Sequence, residues 1–177
     1  MNSPINIAPL GISNSEVVAL IRASLEEKFS VPAKVIDLPI DLEIVKSVER
    51  GQYYSTKLIA QAIKLTSEYE GKVLLLVDVD IYIPIFTFLF GEAQLNGKHS
   101  IVSLCRLHEE FYTGKTDNNL FYARTMKEVF HELGHNFGLL HCEEWDCVMH
   151  SSSAIEEVDI KGSYYCKNCL KDINNYK

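Results

Sequence analysis

The chain is poor in the features that place a protein in a membrane, on nucleic acid or outside the cell. No apolar run approaches the roughly 20 residues of a membrane-spanning helix, so no helical membrane protein is expected. Basic residues are the minority, 17 Lys and Arg against 24 Asp and Glu, and a formal charge of −7 without any basic run makes nucleic acid a poor partner. The opening MNSPINIAPL lacks the positive n-region of a signal peptide. The first expected strand begins almost at Met1, which leaves no room for an inhibitory pro-segment. Cysteines are few and odd in number, five in all. Without a signal peptide they argue for a reducing compartment and metal ligation rather than a disulfide framework. The expectation is a cytoplasmic monomer.

What is present suffices for one ordinary core: 177 residues, 47% of them hydrophobic. Ile5 to Leu10 reads as a buried strand. A helix follows from a cap at Ser13 or Asn14 to about Phe29, with Val17, Val18, Ile21 and Leu25 on one stripe. Lys34 to Leu38 reads as a second strand stopped at Pro39, and Ile40 to Tyr54 as irregular structure or a hairpin. A second helix is expected from Ser55 or Thr56 to about Tyr69, with Leu58, Ile59, Ala62, Ile63 and Thr66 inward. The continuous apolar run Val73 to Val77 reads as a central strand buried on both faces. This βαβαβ order implies parallel pairing. Beyond it, Phe86 to Phe90 reads as a short aromatic strand and His99 to Leu104 as another; no helix fits between them, so at least one strand must be antiparallel. Leu107 to Lys115 reads as a loop. Asp78 and Asp80 read as solvated, His99 and His108 as structural or solvated, and Cys105 as a small core residue.

The strongest signal is HELGHNFGLLH, His131 to His141. Five fixed identities at this spacing should arise by accident about once in a hundred thousand chains of this length. On a helix, His131 and His135 lie on one face and can present ring nitrogens to one zinc ion. Glu132 is rotated about a quarter turn, beside the metal but not on it, where a general base for a zinc-bound water would sit. Gly138 can take positive φ and stop the helix, turning the chain so that His141 reaches the metal from outside it. Three imidazoles and an open position describe a catalytic zinc site. The helix itself is expected from a cap at Asp117, Asn118 or Asn119 to about Phe137. Tyr122, Met126, Val129, Phe130, Leu133 and Phe137 would line its packed side, with Arg124 and Glu128 on the ligand side.

A second constellation lies downstream. Cys142 and Cys147 are separated by four residues, Cys166 and Cys169 by two. This is close to the spacing of a closed, structural Cys₄ zinc site; two short disulfides or free thiols are the competing reading. Because Cys142 directly follows His141, such a clamp would also hold the third catalytic ligand.

The extended His motif resembles the metzincin zinc peptidases, and the Cys142, Cys147, Met149, Cys166 and Cys169 pattern looks like one branch of them, the archaemetzincins. The specific match runs from Glu128 to Cys169. The resemblance implies a metzincin-like α/β fold: a twisted mixed sheet with two backing helices, an active-site helix and a small zinc-clamped C-terminal lobe. It implies one protease domain over 1–177, divided at residues 137 and 138. Met149 would be the methionine beneath the catalytic zinc. Phe88, Leu89, Phe90, Gly91, Glu92 and Ala93 would form the cleft-rim edge strand that pairs with extended substrate, unless they are an ordinary edge strand. Some metzincins carry a transition-state Tyr two residues after this Met. Here that position is Ser151, and Tyr164 and Tyr165 are the candidates left.

The expected function is zinc-dependent hydrolysis of peptide bonds in a peptide or protein substrate, with two Zn²⁺ per chain and Glu132 as general base. The alternative is a zinc-stabilised peptide-binding module without turnover.

Overall fold

The computed structural model describes residues 3–175; the first two and last two residues of the expected domain span lie outside this range. Strand β1 (Ile5–Leu10) and helix α1 (Ser15–Phe29) stand where their caps and periodicity put them, and the Asn14 side chain accepts from the backbone N–H groups of Glu16 and Val17. Strand β2 covers only Ala33–Val35, shorter than expected. The stretch from 40 to 54 resolves into a 3₁₀ turn (Leu42–Val45) and a small hairpin of β3 (Lys46–Ser47) and β4 (Gln52–Tyr54), with Gly51 at positive φ in the turn.

Helix α2 spans Ser55–Leu65, ending a turn before Tyr69; Ile63, expected inward, is 40% exposed. Strands β5 (Lys72–Val77), β6 (Ile81–Tyr82), β7 (Gly91–Ala93) and β8 (His99–Ser103) follow. Phe86 to Phe90 is not a strand: only Leu89 makes an isolated antiparallel bridge, to Ile81. The expected loop after β8 holds a 3₁₀ turn, Cys105–Leu107, and the short helix α3 (Glu110–Thr113). Cys105 is half-buried in that turn rather than set in the core. Asp80 is not a solvated carboxylate: Arg106 grips it with two bonds of 2.7 Å and Gln52 donates to it at 2.9 Å.

The main sheet runs β2-β1-β5-β8-β7, with the first four strands parallel and β7 antiparallel at the edge. Strand β5 alternates its side chains between two cores, as a period-two strand must. Leu74 and Leu76 face the core shared with α1 and with α4 (Asn118–Asn136). Val73, Leu75 and Val77 face the core beneath α2. Helices α5 (Ile155–Ile160) and α6 (Lys167–Asn175) complete the chain. Arg124 of α4, almost fully buried, forks onto Asp159 at 2.6 and 2.7 Å and reaches Glu109 at 2.9 Å, so α4 is tied to α5 on one side and to the start of α3 on the other.

The edge strand is pinned to the end of α4. Asn136 donates to the carbonyls of Gln94 and His99 at 3.0 and 2.9 Å, and Asn96 N–H donates to His135 at 2.8 Å. Lys72 donates to the Asn136 carbonyl at 2.7 Å.

Candidate active site

Helix α4 begins at Asp117, whose carboxylate accepts from Leu120 N–H at 3.0 Å, and ends at Phe137. Its C-terminus closes with paired bonds, Leu139 N–H to the Gly134 carbonyl at 3.0 Å and Gly138 N–H to that of His135 at 2.9 Å. Gly138 sits at φ 89°, a left-handed conformation that a side chain would strain, so the chain turns there and returns His141 towards the helix.

The ligand atoms of His131, His135 and His141 lie within 4.8 Å of one another. Nδ1 of His131 lies 2.8 Å from the Val148 carbonyl, and Nδ1 of His135 lies 2.7 Å from that of Leu139. A carbonyl only accepts, so both rings carry their proton on Nδ1 and turn a bare Nε2 lone pair inward. Burial lowers the pKa of all three imidazoles, His131 most strongly, which keeps them neutral. Nε2 of His131 and Nε2 of His135 stand 3.1 Å apart. Two lone pairs facing at that distance repel unless a cation lies between them. Bonds of about 2.0–2.1 Å from a tetrahedral zinc would set them about 3.3 Å apart, so the donor set fits zinc in spacing and tautomer.

The cysteines pass the same test. Cys142 Sγ and Cys166 Sγ are 3.8 Å apart, and Cys147 Sγ and Cys169 Sγ 3.7 Å, with all four sulfurs within 4.8 Å of one another. A disulfide would bring a pair to about 2.0 Å. A tetrahedron with Zn–S bonds of about 2.3 Å has edges of about 3.8 Å, so the thiol spacing fits a metal and not a bridge. Burial raises the thiol pKa values of Cys142 and Cys169, while the backbone N–H of Cys169 lowers that of Cys166. The two clusters share a backbone. Cys142 N–H donates to the Met149 carbonyl at 3.0 Å, and Val148, which orients His131, lies between Cys147 and Met149.

Met149 is fully buried beneath the ligand helix, and its sulfur occupies the space where a side chain at Gly134 would project. Glu132 is 5% exposed, and Gly91 packs against it: a Cβ there would lie 2.5 Å from its Oε1. Burial first, then the neighbouring Glu128, raises the Glu132 carboxyl well above its usual range; Lys161 opposes them.

A cavity of about 530 Å³ joins these groups. The three histidines, Glu132 and all of Phe88, Leu89, Phe90, Gly91, Glu92 and Ala93 line it. Their roles differ. Phe90 is a core side chain, Phe88 lies under the Arg106 guanidinium at 4.0 Å, and the Glu92 carboxylate is held by Ser55 and Thr56 at the start of α2. Neither tyrosine candidate lines the cavity: Tyr165 spends its hydroxyl on the Phe130 carbonyl at 2.6 Å, and Tyr164 lies half-exposed beside Cys147. Lys161 and Ser152, which sequence reasoning passed over, do line it. Their only sequence signal was a place after Met149, and the Lys161 contact with Glu128 reaches back to a different helix.

Comparison with known proteins agrees with this geometry. The family model described as peptidase family M54 matches residues 13–175. The archaemetzincin of Methanocaldococcus jannaschii is 38% identical over 96% of this chain and 92% of its own, and that of Pyrococcus furiosus 35% identical over 98% and 93%. The crystal structure of the Archaeoglobus fulgidus archaemetzincin, complexed with malonate, superposes with a TM-score of 0.83 at 31% identity, covering 96% of this chain and 99% of that one. The chain therefore belongs to peptidase family M54, the archaemetzincins, and is a zinc metallopeptidase.

Proposed function

We propose that this chain hydrolyses peptide bonds with a catalytic zinc held by His131, His135 and His141 and a structural zinc held by Cys142, Cys147, Cys166 and Cys169. The carrying observation is the pair of Nδ1-to-carbonyl bonds that turn bare Nε2 atoms towards a shared point beside Glu132. When bound there, zinc supplies Lewis acidity, making water acidic near neutral pH and a carbonyl electrophilic. Glu132 takes the proton of the attacking water on a carboxylate oxygen and returns it to the leaving amine.

The rim strand β7 has an edge facing away from β8, and that edge lies along the cavity, so an extended peptide can add to it through backbone hydrogen bonds. Met149 supports the ligand helix from below. The part from Gly138 onward acts as a small C-terminal lobe that shares the core of β1, α1 and α4 and is clamped by the cysteines. A reducing, cytoplasmic location suits four thiols kept free, and no described helix is long and apolar enough to cross a membrane. The working unit is a monomer, with peptides or unfolded protein as substrate.

A single-turnover assay of zinc-loaded protein on a quenched peptide library tests the reading. Cleavage with one proton-transfer dependence on Glu132 is expected. Peptide bound but left uncut would instead identify a binding module.

A further inference from the structure

Three large apolar side chains lining the catalytic cavity stand more than half exposed among the described residues: Phe86 and Leu95 at 54% each and Leu140 at 68%. A lone exposed leucine is ordinary on a protein surface, but exposed apolar groups gathered in a concave site mark where a ligand lies. Two of the three share one end of the cleft. Leu95 precedes Asn96, whose backbone N–H donates to the His135 carbonyl at 2.8 Å. Leu140 follows Leu139, whose carbonyl accepts from His135 Nδ1 at 2.7 Å, and precedes His141, whose ring centroid lies 5.0 Å from that of His135. Each leucine is thus one residue from a bond to His135, Leu95 on the rim and Leu140 on the floor.

The rim alternates its side chains, and Leu95 belongs to the side of the reacting groups. Glu92 is held by Ser55 and Thr56 of α2, and Gln94 accepts from His99, whose ring reaches Thr66 at the end of α2. Gly91 abuts Glu132 on the opposite face. The ladder continues one residue past β7, through the bond from Gln94 N–H to the His99 carbonyl. With a period of two, Ala93 and Leu95 therefore share the face of Gly91, towards Glu132 and the histidines.

The chemistry gives the cleft a direction. Glu132 returns its proton to the leaving amine, so the amine half of a substrate lies at Glu132 and Gly91, where β7 starts. The acyl half then runs towards Leu95, which sets the substrate antiparallel to β7. At about 3.3 Å per residue, Gly91 to Leu95 spans roughly 13 Å, the length of about four substrate residues. The first belongs to the amine half, which leaves up to three on the acyl side.

We infer that Leu95 and Leu140 form an apolar subsite, open to the cavity, that selects a large apolar side chain (Leu, Met or Phe) on the acyl side of the cleaved bond and within three residues of it. This rests on the peptidase reading of the cleft. A substrate side chain laid against the two leucines takes their surface and its own out of water together. A carboxylate in the same place would lose hydration and gain no partner from either leucine. An alanine would cover too little of them to be held.

The test pairs cleavage with binding. Zinc-loaded protein is given a mixed peptide library, and cut sites are read by mass spectrometry. Separately, fluorescence polarisation measures peptides that differ only as Leu, Ala or Asp at the selected position, bound to the zinc-loaded Glu132→Gln protein. Expected is a preference for Leu of about 10-fold or more over Ala and Asp in both measurements. The double variant Leu95→Ala/Leu140→Ala removes two exposed side chains that belong to neither core, and should abolish that preference with the fold intact. Leu95→Lys, which sets an ammonium on the rim, should turn the preference towards Asp. Selective binding of the Leu peptide with no cleavage by the parent protein would uphold the subsite and overturn the peptidase reading. Equal binding of the Leu, Ala and Asp peptides, cut sites indifferent to the acyl-side residues, or a parental profile in the double variant would overturn the subsite.

Discussion

A methyl group added at Gly91 would lie 2.5 Å from Oε1 of Glu132 and 2.6 Å from its Cγ, with little room for either to yield because Glu132 is buried. Gly91→Ala should therefore leave zinc content intact and lower kcat by about 10- to 100-fold, because a displacement of about 1 Å at a reacting group costs that much. Equal kcat in the variant and the parent would show that Glu132 does not need its present position. Glu132→Gln should keep the fold and both metals and lower kcat/KM by about 10²–10⁴, measured on the same peptide. Gly134→Ala makes a prediction whose sign opposes helix propensity. Alanine normally stabilises a helix interior over glycine by about 1 kcal/mol, yet here the new Cβ would enter the Met149 sulfur. A net loss of about 1–3 kcal/mol is expected in thermal unfolding. A raised Tm would mean that Met149 moves aside freely. At this scale the sequence was legible where chemistry fixes spacing: the three histidines and Glu132 share one helix and its stop, and the structure brings them together. Lys161 and Ser152 were not legible, because a lysine on a short loop carries no sign of burial until α5 folds it against Glu128.

Elements with their own start and stop signals were readable, and those held by partners were not. Helices α1 and α4 start at Asn14 and Asp117, whose side chains cap backbone N–H groups within three residues. By contrast Phe86 to Phe90 has the composition of a strand but only one bridge. The segment forms no regular ladder; instead the Arg50 guanidinium donates to the carbonyls of Phe86 and Thr87 at 2.8 and 3.0 Å, tying it to the β3–β4 hairpin. Helices α5 and α6 were missed because each is short and lies against the Cys cluster or α4 rather than showing a long stripe. Strand β8 carries a pH prediction. His99 is 4% exposed, with ring nitrogens near Thr66 and Gln94, and burial, aided by Lys98, lowers its pKa from 6.5 to about 4. The folded state thus refuses a proton that the unfolded chain accepts. The stabilisation is complete above about pH 6.5 and is lost as pH falls towards 4, by up to about 3 kcal/mol. Denaturant titrations between pH 7 and 4 should show this fall, and His99→Gln should flatten part of it. An identical slope in that variant would assign the effect to other groups.

Across the whole molecule the two metal clusters should separate in lability. The His cluster opens into the 530 Å³ cavity, while the cysteine cluster is partly or fully buried. Chelator should remove one zinc early, abolishing activity with little change in secondary structure. The second should leave only under harsher conditions, together with the folding energy it supplies to the C-terminal part. Trp145, packed against His150 with ring centroids 4.3 Å apart and planes tilted by 33°, and lying between Cys142 and Cys147, should report that second step by a change in emission. Cys166→Ser should reproduce it and also weaken the His site through the Cys142 bond to Met149. One zinc in fully loaded protein, or a Cys166→Ser protein with parental metal content and emission, would defeat the two-site arrangement. The upper jaw and lower jaw of the cleft meet at Asn136, whose amide bonds to Gln94 and His99 weld rim to floor. These bonds hold the gap against widening at this end of the cleft. A gap held in this way is expected to act as a gauge that admits a single extended chain and turns away a folded domain; cleavage of the folded form of a protein as fast as its unfolded form would overturn this.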